Sequence, residues 1–137
     1  MTGGCLCGKI RYAVAHDIKN VIACHCRNCQ KASGAGMSHN AVVPASAITI
    51  TAGEPKRFVD TAQSGNKLYR FFCADCGSSL FSQREKTPEM MVVKVGTLDN
   101  SDDFKLVMNI WTDSARPWVY IDPAIEQHAQ NRPVPKT

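Results

Sequence analysis

The chain has 137 residues, 44% hydrophobic and 20% charged, with a formal net charge of +4. That length leaves no room for two ordinary cores, so one domain is expected. The mild charge has no basic run longer than two residues, short of the clustered Lys and Arg of a nucleic-acid-binding protein. No apolar stretch approaches the roughly 18 residues that span a bilayer.

In chain order, the start Met1-Thr2-Gly3-Gly4-Cys5 has no basic segment followed by an apolar one. The expectation is a cytoplasmic protein with reduced thiols, in which clustered cysteines read as metal ligands or reactive thiols rather than disulfides. Short alternating segments broken by Gly, Pro, Asn and Asp predict a mainly β fold. Residues 9–14 put Ile10, Tyr12 and Val14 on one face, and residues 46–51 alternate Ile48 and Ile50 with Thr. Residues 56–61 and 67–73 flank Gln63-Ser64-Gly65-Asn66, a hairpin turn by composition. Further strands are predicted over 79–83, 90–98 and 105–112. Helix is scarce: one turn over 27–32 and another over 123–129. The domain is expected to occupy residues 1–130. Residues 131–137, with two prolines, read as a frayed tail. Phe58, Tyr69, Phe71, Phe81, Trp111 and Trp118 read as core aromatics.

Seven cysteines carry the chemistry. They form Cys5-Leu6-Cys7-Gly8, Cys24-His25-Cys26-Arg27-Asn28-Cys29 and Cys73-Ala74-Asp75-Cys76-Gly77. Structural zinc takes four tetrahedral thiolates, and a C-x-x-C turn delivers two of them. Gly8 and Gly77 stand where a left-handed residue lets the chain close around the sulfur. Seven ligands divide into four and three. The economical division joins Cys5, Cys7, Cys73 and Cys76, leaving Cys24, Cys26 and Cys29 with an open fourth position, the pattern of a reactive zinc. Such a triad, all from one compact loop, is expected to be partly exposed. Spacing leaves alternatives open: the pair at 73 and 76 could join the triad instead, or Cys24 to Cys29 could be a redox group. An odd cysteine count leaves one thiol over in any all-disulfide scheme. His16, His39 and His128 are isolated and His25 lies between two ligands. None is assigned, although His25 or His39 could supply a fourth ligand.

The order Gly-Gly-Cys-Leu-Cys-Gly, then Cys-His-Cys-Arg-Asn-Cys-Gln-Lys, then Phe-Cys-Ala-Asp-Cys-Gly-Ser resembles the glutathione-dependent formaldehyde-activating enzyme family, which includes centromere protein V. Ile110-Trp111 and Arg116-Pro117-Trp118 extend the resemblance over nearly the whole chain. It implies twisted, mostly antiparallel β-sheets with little helix, similar to a Rab-interacting zinc chaperone. It also implies a structural zinc on Cys5, Cys7, Cys73 and Cys76 and a catalytic zinc on Cys24, Cys26 and Cys29. The implied reaction is that of a carbon–sulfur lyase joining formaldehyde to glutathione as S-hydroxymethylglutathione.

The expected cofactor is therefore Zn(II), two per chain, with the second site labile, and glutathione is the expected co-substrate. Arg27 and Lys31 flank the triad and are candidates to meet the tripeptide's carboxylates. The expected partner is a small-molecule thiol, with no membrane and no nucleic acid; no oligomeric state is legible. The competing reading is a non-catalytic, zinc-stabilised binding or carrier module for glutathione, protein or nucleic acid. A methionine sulfoxide reductase ranks last, because it needs a lone cysteine away from the metal groups and all seven here are clustered.

Overall fold

The computed structural model describes residues 1–133. Its strands are Thr2–Gly4 (β1), Arg11–Val14 (β2), Asn20–Cys24 (β3), Ser38–Pro44 (β4), Ile48–Ala52 (β5), Lys56–Thr61 (β6), Lys67–Phe72 (β7), Ser79–Arg84 (β8), Met90–Lys94 (β9), Lys105–Ile110 (β10) and Glu126–Gln127 (β11). A single α-helix among the described residues, Arg27–Ser33 (α1), follows β3, and short 3₁₀ turns lie at Ala45–Ala47, Val95–Thr97 and Thr112–Ser114. The strands form a three-stranded sheet, β1-β2-β5, and an eight-stranded sheet, β11-β10-β3-β4-β9-β8-β7-β6. Pairing is antiparallel except that β10 runs parallel to β3 and β11, so the larger sheet is mixed.

Register divides the larger sheet into two chemically different faces, because residues directly opposed on neighbouring strands share a face. One rung reads Ala41, Val93, Phe81, Phe71. With Val43 and Met91 these pack against Tyr12, Val14 and Ile48 of the smaller sheet to form the core. Tyr12 and Phe81 meet edge to face with ring centroids 4.8 Å apart, a geometry favoured by their opposed quadrupoles. The other face reads Ile22, Asn40, Lys94 on one rung and Val42, Val92, Ser82, Arg70 on the next. This polar face carries the site.

The predicted hairpin over 56–61 and 67–73 forms as β6 and β7, with Gly65 at φ 87° in its turn. The predicted strand over 90–98 stops at Lys94, where the chain tightens into the Val95–Thr97 turn. The strand over 105–112 stops at Ile110 because Trp111 is left-handed at φ 57°. The helix predicted over 123–129 does not form: Glu126 and Gln127 pair with Met108 and Asn109 instead, so the β10 edge takes up their backbone groups. Phe58 and Trp118 are not core residues. They are 58% and 74% exposed, Phe58 on the edge strand β6 and Trp118 in an irregular segment. Asn131, assigned to the tail by sequence, accepts the Trp111 indole N–H at 2.9 Å. Arg132 and Pro133 are exposed, and residues 134–137 lie outside the described residues.

Candidate metal centres and the thiol cleft

Two knuckles build the first thiol cluster. Cys5 O accepts from Gly8 N at 3.1 Å and Cys73 O from Gly77 N at 2.8 Å; both glycines are left-handed, at φ 80° and 78°. These tight turns present the sulfurs of Cys5 and Cys7 from one loop and Cys73 and Cys76 from the other. All four lie within 4.8 Å of one another. Cys5 to Cys7 is 3.5 Å and Cys7 to Cys73 is 3.8 Å. Four thiolates at about 2.3 Å from a zinc stand about 3.8 Å apart at the corners of a tetrahedron, so the donor set fits. Neighbouring donors favour the thiolate at two of the four, whereas at Cys7, against the Lys9 amide, burial and the facing thiols push the pKa up to about 11. The Ile10 amide bonds Cys5 Sγ at 3.2 Å and draws that thiol's pKa down. The Ser78 hydroxyl, 3.3 Å from Cys76 Sγ, and the Ser78 amide draw Cys76 down to about 5. The cluster joins the two sheets, since Cys5 follows β1 and Cys73 follows β7.

The second cluster forms where β3 turns into α1. Cys24 ends the strand, Cys26 caps the helix by accepting from Cys29 N at 3.3 Å, and Cys29 is one turn on. Their sulfurs also lie within 4.8 Å of one another. Extended backbone alternates direction, so His25 between the two ligands points away. It is fully buried, and its Nε2 is 2.8 Å from Asn109 Oδ1 on β10. Gln30 Nε2 bonds His25 O at 2.7 Å and Ser114 O at 3.0 Å, and Arg116 Nε bonds Gln30 Oε1 at 2.9 Å. This chain of bonds clamps the triad loop to the segment after β10. Among the described residues no histidine joins either thiol group.

Contrary to the expected partial exposure, each triad cysteine is only 7% exposed. The sulfurs lie in the floor of a cleft of about 160 Å³ on the polar sheet face, walled by Ile22, Val42, Val92 and Ile110 and by the β6–β7 turn. Its charged residues are Lys67, Arg70, Arg84 and Lys94; among the described residues no carboxylate lines it. Lys94 Nζ donates to Asn40 Oδ1 at 2.8 Å. Burial lowers the basicity of Lys94, while the facing thiols, Cys29 foremost, raise it. Cys29 itself is pushed strongly toward the thiolate, first by hydrogen bonds from Cys24 and Cys26 and then, against burial, by the Lys94 charge. Cys24 is pushed the opposite way as the proton holder.

The structure places Arg27 and Lys31 outside this lining, both exposed on α1. Arg27 N bonds Gln63 Oε1 at 3.2 Å, and Lys31 borders a shallower hollow beside Phe58. The cations that do face the triad, Lys94 and Arg70, are distant in sequence. Only the alternation of β7 and β9 could have pointed to them.

Fold and site together define a small β protein built on two thiol clusters, each with the donor chemistry of a zinc site. The chain belongs to the glutathione-dependent formaldehyde-activating enzyme family, whose model matches residues 1–114. It is 32% identical over 82 residues to a Penicillium rubens protein named as a putative glutathione-dependent formaldehyde-activating enzyme, a match covering 60% of this chain and 42% of that one. A similarly named Emericella nidulans protein is 30% identical over 81 residues, covering 59% and 40%. The chain thus matches about two fifths of the length of these relatives. A crystal structure of a Rhodobacter sphaeroides protein shares the fold, with a TM-score of 0.59 at 18% identity, covering 93% of this chain and 99% of that one. Among the described residues no helix is long and apolar enough to cross a membrane.

Proposed function

We propose that the protein is a zinc-dependent carbon–sulfur lyase that condenses a glutathione-type thiol with formaldehyde, giving S-hydroxymethylglutathione. Cys5, Cys7, Cys73 and Cys76 would hold a structural zinc, and Cys24, Cys26 and Cys29 a second, catalytic one. The observation that carries this reading is the convergence of three buried thiols, with no fourth cysteine, on a cleft whose charged residues are all cations. A zinc on three protein thiolates keeps one position open, where it stabilises an incoming thiolate at neutral pH.

The chain's own residues supply the rest. The cationic wall attracts a tripeptide carrying two carboxylates, and the apolar side chains keep water from the sulfur. In the reaction the sulfur attacks the aldehyde carbon, the carbonyl electrons move to oxygen, and the proton given up by the thiol ends on that oxygen. One thiol and one aldehyde give one hydroxymethyl thioether, with nothing left over. After its bond to Asn40, the Lys94 ammonium has two further N–H groups to offer that oxygen. A cytoplasmic setting suits free thiols.

The test is the exchange rate of labelled formaldehyde into glutathione, followed by magnetisation-transfer NMR with zinc-loaded protein and with Cys26→Ser. An acceleration of at least tenfold over the uncatalysed exchange, lost in Cys26→Ser, is expected. Glutathione bound with no acceleration would instead support the carrier module.

A further inference from the structure

Three polar side chains on the polar sheet face form a one-way chain that ends on Cys29. Lys94 Nζ donates to Asn40 Oδ1 at 2.8 Å, and Asn40 Nδ2 donates to Ser38 Oγ at 2.9 Å. An ammonium has only donors, so the amide must turn its oxygen to Lys94 and its nitrogen to Ser38. Ser38 Oγ is therefore an acceptor toward Asn40 and keeps its proton for Cys29, where its hydrogen bond favours the thiolate. Register makes this chain possible. Ser38 lies opposite Cys24 and Asn40 opposite Lys94, and alternation along β4 puts Ser38 and Asn40 on one face. Both are buried, so the direction of the chain is set by the protein rather than by solvent.

Cys29 is the triad member with most need of such a donor. It lines the thiol cleft with Cys24 and Cys26, and it alone of the three also lines a separate hollow of about 400 Å³ between α1 and the turn after β9. A small electrophile entering that hollow meets Cys29 and no substrate sulfur. The Cys29 sulfur would bond the aldehyde carbon, the carbonyl electrons would move to oxygen, and that oxygen would take a proton from water. The product is a hydroxymethylated ligand and a spoiled site. A thiolate already committed as a metal ligand gains no further ionisation from a donor. The donor only stabilises its charge, and the nucleophilicity of a sulfur falls with its basicity.

We infer that Asn40 and Ser38 are positioning residues that set the selectivity of the triad: they hold a hydroxyl proton on Cys29, so that the electrophile is taken by the incoming thiol and not by this ligand. The inference rests on the thiol-condensation reading, and it adds how one sulfur among several is chosen. Lys94 has a second part here, since its ammonium fixes which way the Asn40 amide points.

The test treats zinc-loaded protein with iodoacetamide, whose carbon joins sulfur as iodide leaves. Alkylation at Cys24, Cys26 and Cys29 is followed by mass spectrometry in the parent and two variants at equal zinc content. Ser38→Ala removes the proton. Asn40→Asp keeps the volume and the partner of Lys94, but a carboxylate only accepts, so Ser38 turns its proton to it and away from Cys29. The expected result is Cys29 alkylation at least fivefold faster in both variants, with Cys24 and Cys26 within twofold of the parent. An unchanged Cys29 rate in Asn40→Asp would overturn the inference, even where Ser38→Ala reacts faster, because that variant also opens space. A rise shared equally by all three cysteines would sink it too, as the mark of a loosened triad.

Condensation is scored separately. The alkylation ratio needs no glutathione and no turnover, so a protein that never accelerates the exchange can still show the rise confined to Cys29. Full acceleration with no such rise would retain the condensation reading and remove Asn40 and Ser38 from it.

Discussion

Arg70 Nε donates to Asp60 Oδ2 at 2.8 Å across the β6–β7 pair, on the diagonal of the register, with side chains 10% and 17% exposed. The same carboxylate accepts twice from Asn28 Nδ2 on α1, at 3.1 Å each. One acid therefore ties the helix that carries Cys29 to the sheet beneath it and compensates a guanidinium that lines the thiol cleft.

Asp60→Ala should be costly for that reason. It leaves a buried guanidinium unpaired, for which the expected loss is about 3–5 kcal/mol. Urea denaturation of the zinc-loaded protein measures it. Adding Arg70→Met should recover most of the loss; a double variant as unstable as Asp60→Ala would show that the pair is not the cause.

The two thiol clusters should respond differently to a lost ligand. Structural zinc contributes roughly 10–16 kcal/mol in small zinc peptides, as much as a whole domain's stability. Cys76→Ser should therefore give an unfolded or aggregated chain. Cys26→Ser should remain folded by circular dichroism, with zinc per chain falling from two to one by elemental analysis.

Thiol affinity should follow the cleft rather than sequence neighbours. Lys94→Met is expected to weaken glutathione binding at least tenfold by calorimetry. Lys31→Ala, at an exposed site beside the Phe58 hollow, should leave it within twofold. The reverse order would return the anion contact to α1.

Acid sensitivity has a source far from the triad. Arg11 Nη1 donates to Asp99 at 2.9 Å and Thr2 Oγ1 at 2.6 Å, and these partners hold the Asp99 carboxyl at about 2 instead of 3.8. A depressed pKa gives stability that is present above pH 3.8 and lost as the pH falls through 2. The melting temperature of Asp99→Asn should thus fall less steeply than the parent's between pH 4 and 2. Parallel curves would remove Asp99 from the account.

Strands with one wet and one dry face were legible because alternation survives there: Tyr12 and Val14 of β2 are buried and alternate with half-buried Arg11 and Ala13. β3 and β4 were not, although the cysteine loop between them was seen. Ser38 and Asn40 are buried on the polar sheet face, and polar residues inside a segment read as loop from sequence. The thiol grouping was readable because the residue types are rare and their spacing is short. The cations around the triad were not, because alternation along β7 and β9 gives Arg70 and Lys94 a shared face but does not say which distant loop that face meets.

The parallel pairing of β10 with β3 sets a timetable. Ile110 lies opposite Cys24, and the strand that shelters the triad loop is made more than 80 residues after it. At ribosomal rates of roughly 5–20 residues per second, that interval is roughly 4–17 s. For those seconds three nascent thiols have neither their neighbouring strand nor the Gln30–Ser114 bond to cover them. Oxidative damage to this protein should therefore fall mainly on newly made copies. Mature copies should be largely spared, and pulse-labelled protein from peroxide-stressed cells would carry the modified cysteines first.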